Sequence, residues 1–318
     1  MTPIVIAILL VAVAILTFVE IFCISKIVPI FEHRPAFGVE PSPPDPDAEP
    51  VSFATTNGLM LRGALHRTPH PTARGLVIFC PEMGGNHWSA LAYAAALIDA
   101  GFHILAFDFR NQGESDRSKT YDPLHWLSDF EVADVNSAIA YARQRPDLRD
   151  LPMGLLGISR GGCAALAGAA ANKDIQVVVC EGVATTRSML LHYTLRWATL
   201  YVSHMFMFLL PVWHLKITLE ISRVISQIRR RCYFTVLERT LPKLRDRRVL
   251  VIADGRDSYI PSEVTALIPK FIGGTNAELW IVPNARHNGA NLADPEGYSR
   301  RLIEYFSEMS VRTPSTAS

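Results

Sequence analysis

A glycine-rich segment, Gly157-Ile158-Ser159-Arg160-Gly161-Gly162, holds one serine between a predicted strand and a predicted helix. The residues before it read MGLLG, a short apolar run, and the residues after it read CAALAGAAA. A sharp turn from strand to helix would expose the Ser159 hydroxyl, and the flanking glycines allow the backbone to fold that tightly. The first N–H groups of the helix would face a developing negative charge. The segment therefore predicts a serine nucleophile.

A serine nucleophile needs a base, and the base needs a carboxylate that orients it. Of the ten histidines, His287 lies in a loop, PNARHNG, after the last predicted strand. Two aspartates, Asp254 and Asp257, close or follow the preceding strand, RVLVIAD, and Glu181 at the end of VVVCEG is a further alternative. We prefer Asp257 because it lies deeper in its loop and can turn back toward the imidazole. The chain order is then Ser159, Asp257, His287, which is the order known for this kind of serine turn.

Short apolar runs alternate with helical segments downstream of residue 50, and this alternation must position the three residues. The predicted strands are GLVIFC, HILAFDF, MGLLG, IQVVVC, RVLVIAD and AELWIVP, and a hairpin around Thr56-Asn57-Gly58 precedes them. Continuous apolar strands separated by helices favour an α/β fold: a mostly parallel, doubly wound sheet with an antiparallel hairpin at its start. In such sheets chemistry gathers at the carboxyl ends of the strands, where the three residues are expected.

From Val51 to Met309 the chain resembles the α/β-hydrolase superfamily. The resemblance rests on GISRGG, on the loop FDFRNQGES after a central strand, on GRDSYIP as the acid loop and on ARHNG as the histidine loop. It implies an oxyanion hole formed by the backbone N–H groups of Met83 and Arg160. In relatives, the loop that supplies the first of these donors often reads His-Gly-x-Gly-Gly. The corresponding residues 81–86 of this chain read Pro-Glu-Met-Gly-Gly-Asn. We expect the Glu82 side chain to turn outward.

The chain begins with an apolar run, PIVIAILLVAVAILTFV, that contains no charge. About 20 such residues cross the hydrocarbon core, so residues 1–26 are predicted to be an uncleaved, single-pass transmembrane anchor. A secretory signal peptide is the alternative, but no basic residue precedes the run and no A-x-A site follows it. Lys26 and Arg34 favour a cytoplasmic location for the main domain. Residues 27–50, rich in proline, are predicted to be a spacer, and residues 311–318 a disordered tail.

Within the hydrolase-like domain predicted at residues 51–310, the alternation of strand and helix stops between residues 183 and 246. We expect this insert to be a helical cap. Its segment from Trp197 to Trp213 is strongly apolar, and residues 216–248 contain ten basic side chains against three acidic ones. Two interpretations stay open: a cap buried over the pocket, or a lid whose apolar residues enter the membrane interface while arginines meet anionic headgroups.

Composition and motifs exclude several classes of protein. The formal charge of +1 provides no basic field for nucleic acid, so we expect no nucleic-acid partner. The five cysteines include no CxxC pair, which excludes zinc ribbons and thioredoxin-like sites. No HExxH, EF-hand or P-loop motif occurs, and His192, His204 and His214 lack a chelating spacing. We therefore expect neither a metal nor a cofactor.

Together these features predict a membrane-anchored serine hydrolase that cleaves carboxylic esters with an apolar acyl or alcohol part. Ser159 would attack the acyl carbonyl, His287 would transfer the proton and Asp257 would hold the imidazolium. The large apolar residues of the insert favour a small-molecule ester as substrate. Hydrolysis of a peptide or another amide is the alternative within the same fold. A non-catalytic, hydrolase-like binding protein is a third hypothesis, because a fold alone does not establish activity.

Overall fold

One eight-stranded sheet forms the centre of the computed structural model, which describes residues 2–34, 39, 42–201 and 212–309. The strands are β1 Glu49–Ala54, β2 Met60–His66, β3 Gly75–Cys80, β4 Phe102–Phe107, β5 Met153–Ile158, β6 Ile175–Glu181, β7 Arg248–Asp254 and β8 Ala277–Val282. Their order in the sheet is β1-β2-β4-β3-β5-β6-β7-β8. The pairs β1/β2 and β2/β4 are antiparallel and the other neighbouring pairs are parallel. The predicted fold class is confirmed.

Helices cover both faces of this sheet. Those in the described part of the chain are α1 Pro3–Glu32, α2 Ala90–Asp99, α3 Asp129–Gln144, α4 Arg160–Ala171, α5 Thr186–Tyr201, α6 Val212–Arg230, α7 Leu237–Thr240, α8 Ser262–Thr265, α9 Leu267–Ile272, α10 Ala290–Ala293 and α11 Pro295–Ser307. Helices α3 and α4 contribute to one buried cluster, and α2 and α11 contribute to the other. Within β3, Leu76 and Ile78 belong to the first cluster while Val77 and Phe79 belong to the second. The central strands β3 and β5 therefore carry no polar side chain, because both of their faces are covered.

The amino-terminal helix α1 has two parts with different surroundings. Most of its apolar side chains between Ile4 and Phe22 are exposed, and by length and hydropathy the helix could cross a membrane, although a signal sequence would meet the same criteria. Its carboxyl-terminal part packs against the domain: Phe31 is fully buried and stacks on Trp126, with ring centroids 4.9 Å apart. The helix therefore continues to Glu32, into the region predicted as spacer, because apolar side chains there bury against the domain.

The segment between β6 and β7 is helical where the structure describes it. Helix α5 leads away from the sheet, α6 packs along α1, and α7 is followed by a 3₁₀ helix at Leu241–Leu244. The Glu20 carboxylate of α1 lies 3.0 Å from His214 and accepts a hydrogen bond from Thr218 at 3.1 Å. Residues 202–211 of the apolar segment from Trp197 to Trp213, and the predicted tail at 311–318, lie outside the described residues. Both interpretations of the apolar segment stay predictions.

Candidate active site

Ser159 occupies a strained turn between β5 and α4. Its φ of 52° and ψ of −121° are rarely adopted by a residue with a side chain. The turn needs glycine on both sides because other backbone approaches closely. A Cβ on Gly161 would lie 2.2 Å from the Cys80 carbonyl oxygen, and a Cβ on Gly157 would lie 2.6 Å from the Cα of Gly162. The sequence pattern thus has a direct steric cause, and the turn directs the serine away from the sheet.

The three residues predicted to act together are joined by two hydrogen bonds. The Ser159 Oγ lies 3.1 Å from Nε2 of His287, and Nδ1 of His287 lies 2.6 Å from Oδ2 of Asp257. The Asp257 side chain is fully buried, whereas that of His287 is 10% exposed. The imidazole therefore spans from a buried carboxylate to a serine at the edge of a pocket. This geometry allows a base to take the serine proton while the carboxylate holds the opposite nitrogen.

The loop after β7 fixes the orientation of Asp257. Its Oδ1 accepts hydrogen bonds from the backbone N–H groups of Tyr259 at 2.7 Å and Ile260 at 2.9 Å. Oδ2 is thereby turned to the imidazole. The alternative acids bond backbone amides instead of the imidazole: Asp254 Oδ2 accepts from the Asn288 amide at 2.9 Å, and Glu181 Oε1 accepts from the Ala290 amide at 2.9 Å.

The predicted oxyanion donors lie on two segments that meet beside Ser159. Arg160 is the first residue of α4, so its N–H is one of those without a partner inside the helix. Met83 follows β3 in a loop whose start lies against the same helix end, because a Cβ on Gly161 would approach the Pro81 carbonyl to 2.3 Å. The two predicted donors therefore lie on neighbouring segments of the chain.

The expectation for Glu82 was wrong. Its side chain is 3% exposed and folds back within its own loop, where a Cβ on Gly85 would lie 2.5 Å from Oε1. The glycine leaves room for the carboxyl group, so it does not have to turn toward solvent. Burial raises the pKa of Glu82 and favours its neutral form.

Gln112 is a site residue that the sequence interpretation missed. Its side-chain amide donates to the carbonyl oxygens of Glu82 at 2.6 Å and Gly85 at 2.8 Å, and its Oε1 accepts from the Arg160 guanidinium at 2.5 Å. The residue therefore joins the two segments that carry the predicted oxyanion donors. The sequence did give one indication of this role, because Gln112 lies in the loop FDFRNQGES at the carboxyl edge of the sheet.

A small pocket opens at Ser159. It encloses about 50 Å³ and is lined largely by apolar side chains of the insert and the neighbouring loops, among them Trp126, Leu127, Met189, Tyr193 and Ile260. That volume holds roughly three or four water molecules. Ligand pockets for drug-sized molecules are usually about 300–1,000 Å³. The described walls thus fit a compact apolar group next to the serine.

The site offers a metal ion little free ligand capacity. Asp254, Asp257 and His287 bring ligand atoms within 4.8 Å of one another. However, Nδ1 of His287 already bonds Asp257, and Asp254 accepts the Asn288 amide. Each of the three side chains thus already makes a hydrogen bond within the protein.

Comparison with known proteins agrees with the fold. Residues 75–204 match the sequence model of the α/β-hydrolase fold. A thiohydrolase of Aspergillus aculeatus, AneE, is 28% identical over 133 residues, which are 41% of this chain and 39% of that protein. Human mitochondrial acyl-coenzyme A thioesterase 2 is 32% identical over 153 residues, which are 48% of this chain and 28% of that protein. The chain therefore matches well under half the length of these two relatives.

A solved structure extends the fold likeness over most of the chain. The Pyrococcus furiosus esterase Pf2001 superposes with a TM-score of 0.62 and 17% identity, covering 87% of this chain and 97% of that one. At this identity the likeness concerns the fold alone. With its strand order, its serine turn and the family model matched at residues 75–204, the chain has the α/β-hydrolase fold.

Proposed function

We propose that the protein is a membrane-anchored serine hydrolase that cleaves carboxylic esters through an acyl-enzyme. The observation that carries the proposal is the pair of hydrogen bonds, 3.1 Å and 2.6 Å long, that joins Ser159 to His287 and His287 to Asp257. Ser159 Oγ attacks the acyl carbonyl while His287 Nε2 accepts its proton. His287 then gives that proton to the departing alcohol, and Asp257 stabilises the imidazolium in between.

The tetrahedral intermediate is stabilised by the backbone N–H groups of Met83 and Arg160. This assignment is supported by the close approach of the Cys80–Pro81 backbone to the start of α4 and by the bonds of Gln112 to both segments. A water molecule activated by His287 then attacks the acyl-enzyme and releases the acid. Formation and hydrolysis of the acyl-enzyme use the same oxyanion donors, so rigid support of the loop that carries Met83 assists both steps.

A compact acyl group is the best fit to the pocket, and an apolar alcohol part would extend along the insert. This choice is supported by the volume of about 50 Å³ and by apolar walls that include Met189 and Ile260. Thioesters are the second candidate, because two relatives are a thiohydrolase and an acyl-coenzyme A thioesterase. Peptide hydrolysis has no comparable support, although its chemistry would use the same residues.

The anchor is part of the proposal. The exposed apolar residues between Ile4 and Phe22 would lie in the hydrocarbon core, which about 20 helical residues cross. Lys26 and Arg34 follow this stretch, which favours the cytoplasmic side for the domain. The side can be tested by tagging each terminus and probing protease access in intact cells.

A matched pair of substrate series tests the activity and its preference. Initial rates are measured for wild type and for Ser159→Ala on acetyl and decanoyl esters of one chromogenic alcohol, and on the corresponding thioesters. We expect kcat/KM to be highest for the acetyl ester and to be lost in Ser159→Ala. Thioesters hydrolysed at least tenfold faster than the matched esters would favour the second candidate. Equal rates for both variants would refute the hydrolase proposal.

A further inference from the structure

Two buried acids behind the imidazole take no direct part in the proposed reaction. Glu181 ends β6 and Asp254 ends the neighbouring strand β7, and their exposed fractions are 0% and 1%. Burial of a carboxylate is costly unless it is paired or protonated. The pair therefore needs a physical explanation.

Each of these acids bonds the backbone that follows His287. Asp254 Oδ2 accepts the amide of Asn288, and Glu181 Oε1 accepts the amide of Ala290, both at 2.9 Å. Asn288 has a left-handed φ of 59°, so its segment depends on such contacts to hold its shape. The two acids thus hold in place the backbone of the residues that follow His287 in the chain.

The other oxygen of each acid lacks a donor. Glu181 Oε2 and Asp254 Oδ1 accept no hydrogen bond from the described residues. The two carboxyl groups lie near enough to each other that the charge of Glu181 raises the pKa of Asp254. Tyr298 lies close to Glu181, but its hydroxyl completes no hydrogen bond of good geometry. One proton between the two carboxyl groups would satisfy both orphan oxygens, as in other closely spaced acid pairs.

The electrostatic surroundings favour that proton. The ionisable groups that face the pair are Glu82 from the loop after β3, Tyr93 from α2, Asp257 and His287 from the two loops of the site, and Tyr298 from α11. Burial raises the pKa of Glu181 to about 7. Burial and then the charge of Glu181 raise the pKa of Asp254 to about 8. Both effects favour a proton on the pair.

We propose that Glu181 and Asp254 share one proton and act as positioning residues, because they hold the backbone after His287 and keep its imidazole within reach of Ser159. This role rests on the proposed function of His287 as the base. When hydroxide removes the shared proton, two adjacent carboxylates repel each other. The segment that carries Asn288 and Ala290 then shifts, and the imidazole loses its alignment.

The shared proton can be tested without any enzymatic activity. The melting temperature of Ser159→Ala is measured from pH 5 to pH 8.5, alone and combined with Asp254→Asn. In the folded protein the pKa values of Glu181 and Asp254 are raised above their ordinary values near 4. The stability that the protonated pair gives to the folded state is therefore complete below about pH 4 and is lost as the pH rises through about 7 to 8. We expect a falling melting temperature that Asp254→Asn flattens. The matched control Asp150→Asn, whose side chain is 87% exposed, should keep the slope.

The positioning role is tested by kinetics of the full chain. Wild-type kcat should fall about tenfold above pH 8, and Asp254→Asn should move this fall upward by at least one pH unit. Glu181→Leu should lower kcat about tenfold at pH 7 with little change in KM, and Glu181→Gln should restore most of it. The positioning role would be overturned if Asp254→Asn left the pH of the fall in kcat unchanged, or if Glu181→Gln restored none of the kcat lost in Glu181→Leu. Equal melting slopes with and without Asp254→Asn would overturn the shared proton, whereas an inactive wild type would overturn the proposed function alone.

Discussion

Asparagine in place of Asp257 should invert the hydrogen bonding of the imidazole. Oδ1 of this residue accepts two backbone amides, from Tyr259 and Ile260, so the single oxygen of asparagine must stay there. The side-chain NH₂ group then takes the position of Oδ2, 2.6 Å from Nδ1 of His287. Two donors cannot face each other, so Nδ1 must become an acceptor and the ring proton moves to Nε2. That nitrogen lies 3.1 Å from Ser159 and can no longer accept its proton.

The expected loss in kcat is about 10⁴-fold, as for other triads held in the wrong tautomer. This corresponds to about 5.5 kcal/mol of lost transition-state stabilisation. The assay compares initial rates of ester hydrolysis at pH 7 for wild type, Asp257→Asn and Asp254→Asn, with melting temperatures to establish folding. Asp254→Asn is the matched control, and its loss should stay under about tenfold, because its oxygen can still accept the Asn288 amide. A loss below tenfold for Asp257→Asn, or equal losses for both variants, would refute the assignment of the acid.

Three other perturbations test the packing around the site and the amino-terminal helix. Gly161→Ala places a methyl group 2.2 Å from the carbonyl oxygen of Cys80 and 2.3 Å from that of Pro81. This clash should displace the backbone that leads to Met83, so kcat should fall about 10²-fold in steady-state assays. Gly168→Ala on the same helix meets only side chains and should lower the melting temperature more than kcat. Deletion of residues 2–22 should release a folded, active domain from the membrane, as judged by carbonate extraction, and carbonate-resistant attachment of that protein would contradict the anchor. Deletion of residues 2–40 also removes the buried Phe31 and should cost about 3 kcal/mol or more in chemical denaturation.

The sheet and its helices could be predicted from the sequence because local signals agreed with the tertiary environment. Strands covered on both faces carry continuous apolar runs, so β7 was predicted with its observed bounds. Helix α3 likewise has a local signal, because a capping box between Ser128 and Glu131 defines its start. The extent of α1 could not be predicted in this way. Phe31 is helical because it packs on Trp126, which is about 95 residues away in sequence.

Only part of the candidate active site could be predicted from the sequence. The serine turn has a local steric cause, so its pattern predicts its structure. The preference for Asp257 over Asp254 depended on loop depth, and the amides of Tyr259 and Ile260 that orient the Asp257 carboxylate could not be predicted from the sequence. The burial of Glu82 could not be foreseen, because it depends on space left by a glycine three residues later. Such features arise from side-chain direction, which spacing alone does not encode.

The central claim, that Ser159 is an activated nucleophile, is tested most directly by covalent labelling. The purified full-length protein is incubated with a fluorophosphonate, and the adduct is located by intact mass and peptide mapping. We predict a single adduct on Ser159 that is absent in Ser159→Ala and strongly slowed in His287→Ala, with both variants folded. No adduct on the wild type, or an adduct that persists in Ser159→Ala, would contradict the account.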